Sequence, residues 1–145
     1  MLHKIQTYDR HSTAPLETII AEILASSHLV KTTVKTEVNG QRVGIDSLRL
    51  RTFAHKGCKC VKCGLEAAHF AVERDLATAA RGGNYHLNLW GVKDGVEVLF
   101  THDHILARGL GGKDRIENTQ TMCCFCNWEK GEVEQLLAQQ LRAQK

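Results

Sequence analysis

Between Thr101 and Gly131 the chain reads THDHILARGLGGKDRIENTQTMCCFCNWEKG. An acid sits beside a histidine (Asp103, His104). A glycine-rich basic loop follows, then Asn118, a C-x-x-C pair (Cys123, Cys126) and Asn127 directly after it. A carboxylate and an amide oxygen are hard ligands suited to Mg²⁺ or Mn²⁺, with water and substrate oxygens completing an octahedron. Two protein ligands leave room for a phosphate. A neighbouring histidine, neutral near pH 7, can take a proton from water. Base plus Lewis acid is the minimum equipment for phosphodiester hydrolysis. In a regular strand Asp103 and His104 point to opposite faces, so both reach one site only if the chain bends there. Gly109, Gly111 and Gly112 lie just beyond and allow such a departure.

A second C-x-x-C pair, Cys60 and Cys63, lies upstream in GCKCVKCG (57–64), which has the form of a zinc knuckle. Two such pairs make a closed all-sulfur site for structural Zn²⁺. The 59 residues between Cys63 and Cys123 form a folded insert whose ends the metal ties together. The bland alternative is unligated, partly buried cysteines. Neither pair is expected to open a helix after a thioredoxin-like strand, which disfavours a redox motif. Cys58 and Cys124 are surplus. Either can replace a neighbour as ligand, but Cys58-Lys59-Cys60 makes a poorer knuckle than Cys60-Val61-Lys62-Cys63.

The chain has 145 residues and 43% hydrophobic content, which fits one globular domain rather than a disordered segment. No apolar run reads as a signal peptide or a membrane span. Six cysteines then place the protein in a reducing compartment, and the expected location is cytoplasmic. Net charge is only +3. From Ser47 to Cys63, however, there are five basic residues (Arg49, Arg51, Lys56, Lys59, Lys62) and no acid. Charge alone does not choose between a phosphate-facing patch and a solvated face.

The supporting elements follow from periodicity. Thr13 and Pro15 mark a helix start, and Leu16, Ile19, Ile20, Ile23 and Leu24 form one apolar helix face. His28 to Val38 reads as a strand, Asn39-Gly40 as a hairpin turn and Gln41 to Ile45 as the return. Asp46 or Ser47 caps a short helix through Leu48, Leu50 and Phe53. His69 to Glu73 is a strand and 75–84 a loop. Tyr85 to Val92 and Val96 to Thr101 form a second hairpin around Gly95 and deliver the chain to Asp103. Val133, Leu136, Leu137 and Leu141 give a last helix, expected to pack back on the domain. Residues 1–46 read as a helix-and-hairpin extension and 47–145 as the chemical unit, together one compact body.

The pattern DHI-x₅-GG-x₅-N-x₄-C-x-x-C-N-x-x-KG resembles the HNH endonuclease family in its zinc-stapled, H-N-N form. Small stand-alone enzymes of bacteriophages and bacteria are of this kind. The resemblance covers about residues 57–131. It implies an α+β fold with a ββα-metal, treble-clef-like core and a four-cysteine zinc site, flanked by the N-terminal helix and hairpin and the C-terminal helix. By position, Asp103 and Asn127 are the Mg²⁺ or Mn²⁺ ligands. His104 is the base, and Asn118 braces the loop that orients it. The implied reaction is hydrolysis of DNA, double-stranded by expectation, to 5′-phosphate and 3′-hydroxyl ends. Arg49, Arg51, Lys59, Lys62, Arg108, Lys113, Arg115 and Lys130 are the expected DNA contacts. Ala107 stands where the family often has proline. His102 reads as a strand residue. The runner-up is a catalytically inactive zinc-containing nucleic-acid-binding module, and a protein–protein adaptor ranks below it. The sequence does not choose between monomer and homodimer.

Overall fold

The computed structural model of the protein describes residues 8–26 and 33–144. Its elements in order are β1 (Tyr8–Ala14), α1 (Leu16–Ser26), β2 (Lys35–Val38), β3 (Gln41–Gly44), α2 (Leu48–Lys56), β4 (Ala67–Asp75), α3 (Leu76–Ala79), β5 (His86–Lys93), β6 (Val96–His104), β7 (Thr119–Cys123) and α4 (Cys124–Ala143). The fold is α+β. Five strands form an antiparallel sheet in the order β1-β4-β5-β6-β7, and β2 and β3 form a separate hairpin.

Both hairpin turns have the chemistry that their geometry needs. Asn39 and Gly40 take φ of 49° and 85°, and Asp94 and Gly95 take 51° and 77°. Two consecutive positive φ values define the turn whose twist matches paired strands, and Asn-Gly and Asp-Gly adopt it at least cost. Ser47 caps α2 by accepting a hydrogen bond from the Leu50 N–H at 3.2 Å.

The core lies between the sheet and the helices. Phe53 of α2, Ile19 and Ile23 of α1, and Phe70, Leu87, Leu89 and Phe100 of the sheet are almost fully buried. Removing one such phenylalanine costs about 3–5 kcal/mol. A Cβ at Gly91 would meet Phe100 Cε2 at 2.8 Å and the Glu66 carbonyl at 3.0 Å. Glycine there lets Phe100, three residues before the acid–histidine pair, seat fully.

Three sequence expectations change. Thr13 lies within β1, paired with Ala71, and is not a helix cap. The 75–84 segment holds one short helical turn, α3. The apolar face of α4 does not pack back: Val133, Leu136, Leu137 and Leu141 are 67%, 61%, 44% and 46% exposed. The helix leaves the sheet after its first two turns, so that face has no core to enter. The part of the expected strand at residues 28–32 lies outside the described residues.

Candidate active site and zinc cluster

The first group is the four cysteines. Cys60 and Cys63 sit on a tight turn in which the Gly64 N–H donates to the Cys60 carbonyl at 3.0 Å. The Val61 N–H donates to the Thr121 carbonyl at 3.0 Å, which docks the turn on β7. Cys123 caps α4 and Cys126 lies in its first turn. The ligand atoms of Cys60, Cys63, Cys123 and Cys126 all fall within 4.8 Å of one another, and the Cys63 and Cys123 sulfurs are 3.9 Å apart. Tetrahedral Zn²⁺ with Zn–S bonds of ~2.3 Å sets its sulfurs about 3.8 Å apart. The set therefore suits a structural metal such as zinc.

Burial opposes ionisation of Cys60, but backbone N–H groups at Cys63, Cys123 and Lys62 outweigh it and bring its thiol down to about 6. Burial pushes Cys123 and Cys126 up. A cation bound there draws the thiols into the ionised form. The second C-x-x-C opens α4 directly after β7, an antiparallel edge strand of the sheet. What separates it from a redox pair is convergence with the first. Cys58 and Cys124 stay outside the cluster. Burial raises both, Cys58 to about 11, and neither sulfur joins the four that converge.

The second group lies where β6 ends. The ladder with β7 runs on through Asp103–Gln120 and His104–Thr119, so the expected bend between the two residues is absent. They therefore take opposite sides of the strand tip. Asp103 is only 7% exposed. Its Oδ2 accepts from Gln120 Nε2 at 2.9 Å and lies 3.1 Å from Lys130 Nζ. Lys130 also donates to the His104 carbonyl at 2.9 Å and pairs with Glu134 one turn on. On the other side, His104 Nε2 lies 2.7 Å from Asp114 Oδ1, which also accepts from Arg108 Nε at 2.8 Å. His104 first, and Arg108 next, hold the Asp114 carboxyl below its ordinary range. His102, on the same side of β6, has its ring centre 5.6 Å from that of His104, the rings tilted at 55°, and is paired within the sheet with Thr121.

Asn127 comes from the facing helix. Its Nδ2 donates to Thr101 Oγ1 at 2.8 Å, and that hydroxyl donates to the Met122 carbonyl at 3.1 Å. Thr101 lies two residues before Asp103 and so on the same face of β6. Asn118 lies under the loop. Its Oδ1 accepts from the Leu106 N–H at 2.9 Å, and its Nδ2 donates to the carbonyls of Leu106 and Lys113 at 3.0 and 2.9 Å.

Asp103 and His104 thus end β6, and α4 is tied to that strand by Asn127 on Thr101 and by Lys130 on Asp103 and the His104 carbonyl. Residues 91–132 match the family model described as HNH endonuclease. The chain carries an HNH endonuclease domain. No curated protein and no solved structure matches the chain. The HNH match begins in β5 and ends in α4, so it contains Cys123 and Cys126 but not Cys60 and Cys63. The family supports a nuclease-type function acting on nucleic acid. Among the described residues no helix is long and apolar enough to cross a membrane.

The basic residues divide. Lys59, Lys62, Arg108, Lys113 and Arg115 are exposed around the HNH domain. Lys62 pairs with Glu129 at 2.8 Å. Arg51 is half-buried, and its Nε makes no hydrogen bond. Lys130 is turned to Asp103. Arg49 is a correction: it donates to Asn88 Oδ1 at 3.1 Å and the Leu87 carbonyl at 2.7 Å. Pairing of β5 with β6 stops at Trp90–Leu99, while pairing with β4 continues to His86–Glu73. Arg49 fills the gap where β5 loses its partner, and its guanidinium is not available to a phosphate. Asp114, Gln120 and Thr101 carried no sequence signal, since each is an ordinary polar residue until its partner is known.

Proposed function

We propose that the HNH domain is a metal-dependent endonuclease that hydrolyses DNA phosphodiester bonds, with His104 as general base on one side of the β6 tip, Asp103 and Asn127 as the ligands of one Mg²⁺ or Mn²⁺ on the other, and the scissile phosphate lying across the tip between them, which takes the place of the expected bend. The observation that carries this reading is the hydrogen bond from Asn127 Nδ2 to Thr101 at 2.8 Å. It commits the amide nitrogen and leaves the amide oxygen, a hard donor, as the free end. Asp103 supplies the paired carboxylate, already next to a cation in the form of Lys130. A hard oxygen pair of this kind fits a divalent ion. Glu134 gives Lys130 a second partner when the carboxylate is engaged elsewhere. When bound, the metal supplies charge neutralisation at the phosphate and the leaving 3′ oxygen.

The chain's own residues do the rest. His104 takes a proton from water, whose oxygen bonds to phosphorus as the bond to the 3′ oxygen breaks. That oxygen is protonated from solvent, leaving 5′-phosphate and 3′-hydroxyl ends. Asn118 fixes the loop that follows His104. Lys59, Lys62, Lys113 and Arg115 face the backbone of the nucleic acid, and affinity falls with salt as their phosphate contacts release counterions.

Mn²⁺ binding by calorimetry on the zinc-loaded protein tests the ligand assignment. Wild type should bind one ion beyond the zinc, and Asp103→Ala and Asn127→Ala should each weaken it at least about tenfold. Equal Mn²⁺ affinity in all three proteins sinks the assignment. DNA retention without metal binding or cleavage would favour the nucleic-acid-binding module.

A further inference from the structure

We propose that Asp114 is a positioning residue that fixes the tautomer and orientation of the His104 ring. The proposal rests on the reading of His104 as the base. His104 Nε2 and Asp114 Oδ1 are 2.7 Å apart, the length of a charge-assisted hydrogen bond. An ionised carboxylate only accepts, so a neutral ring must donate from Nε2 and keep its lone pair on Nδ1. Nδ1 is then the nitrogen that takes the proton from water.

The loop gives Asp114 a fixed place. Asn118 Nδ2 holds the carbonyl of Lys113, the residue before Asp114, at 2.9 Å. The Gly112 N–H closes back on the Ala107 carbonyl at 2.9 Å. A Cβ at position 112 would lie 1.7 Å from the Leu106 carbonyl oxygen, so only glycine permits this closure. Arg108 Nε, bonded to the same Asp114 oxygen at 2.8 Å, holds the carboxylate from the solvent side. The side chain of Asn118 does not touch His104 in any of its three bonds. It reaches the ring through Lys113 and Asp114. Acid–histidine pairs act in this way elsewhere: the acid selects the tautomer and stabilises the imidazolium without becoming protonated itself.

The test compares wild type, Asp114→Ala and Asp114→Asn, all zinc-loaded. Long-range ¹H–¹⁵N spectra of the His104 ring are recorded at a pH above the ordinary imidazole range, beside kcat and KM for Mg²⁺-dependent DNA cleavage. Wild type should show a single Nε2–H tautomer. Asp114→Ala should show a mixture, and its kcat should fall roughly 10- to 100-fold, with KM within about twofold. Asp114→Asn keeps an acceptor oxygen and should restore the tautomer and part of the rate. An Nδ1–H ring in wild type overturns the proposal. So do spectra indifferent to Asp114→Ala, or a loss that falls on KM, while wild type still cleaves. Wild type that cleaves nothing, with a tautomer still set by Asp114, overturns the reading of His104 as a base and upholds Asp114 as the residue that fixes the ring.

Discussion

The side chain of Asn118 holds both backbone polar groups of Leu106, accepting from its N–H at 2.9 Å and donating to its carbonyl at 3.0 Å. Such a clamp does what a proline does by covalent restriction: it fixes the backbone just past His104, where the sequence has Ala107. A third bond to the Lys113 carbonyl ties the far arm of the loop to the same residue. Asn118→Ala removes all three bonds at about 1 kcal/mol each, so stability should fall by roughly 1–3 kcal/mol. Asn118→Asp loses both donated bonds and sets a carboxylate against two carbonyls, so it should be no better. Thermal melts and cleavage assays well below the melting temperature check this. Each variant should lose much more activity than folded fraction.

Zinc should be required for the fold. Structural zinc contributes ~10 kcal/mol or more in small sites, because the unfolded chain offers no preformed cage. A strong chelator should unfold the protein, and metal analysis should give one zinc per chain. Cys60→Ser and Cys126→Ser should lose the metal. Cys58→Ser and Cys124→Ser should keep it, because neither sulfur belongs to the cluster.

Much of this was legible in the residues. Two C-x-x-C pairs announce a metal because thiolates at that spacing converge, whatever fold surrounds them. Ser47 announces α2 because its side chain can satisfy an N–H that the first turn leaves open. Asn39-Gly40 announces a hairpin because that pair accepts positive φ. Strand β1 was not legible. Its DRHST run lacks apolar alternation because it is an edge strand held by charge. Arg10 reaches fully buried Glu73 at 3.0 Å and Glu97 at 2.8 Å. Asn88 and Trp90 complete the satisfaction of Glu73, at 2.8 and 2.7 Å. Such long-range polar pairing leaves no periodic trace. Arg49 misled for a related reason. A basic residue in a basic run reads as surface, and only the divergence of β5 from β6 shows the carbonyl it serves.

His86 gives the protein a pH dependence of stability. Burial first, and Arg49 second, hold its imidazole below the ordinary value of 6.5 in the folded chain. As pH falls, the unfolded chain protonates this histidine before the folded one does. Its contribution is therefore fully present above the ordinary imidazole value and declines below it. Chemical denaturation between pH 7.5 and 5 should show stability falling with pH (about the span over which an imidazole titrates). His86→Asn should flatten part of that slope. An identical slope in the variant would remove His86 from the account.

The exposed row on α4 should be indifferent to polarity. Leu136→Gln and Leu137→Gln, singly or together, should change stability by no more than about 0.5 kcal/mol per site, the range for surface positions. A loss of 2 kcal/mol or more (the scale of about one buried leucine) would mean that the row is covered in solution.

The central claim is that His104 is the base of a metal-dependent nuclease. Supercoiled plasmid incubated with purified protein in Mg²⁺, Mn²⁺ or excess EDTA, beside His104→Ala, tests it most directly. The account predicts nicked or linear product from wild type with either metal, none with EDTA, and none from a His104→Ala protein that retains its zinc and its fold. Equal cleavage by His104→Ala, or cleavage that persists in EDTA, would contradict it.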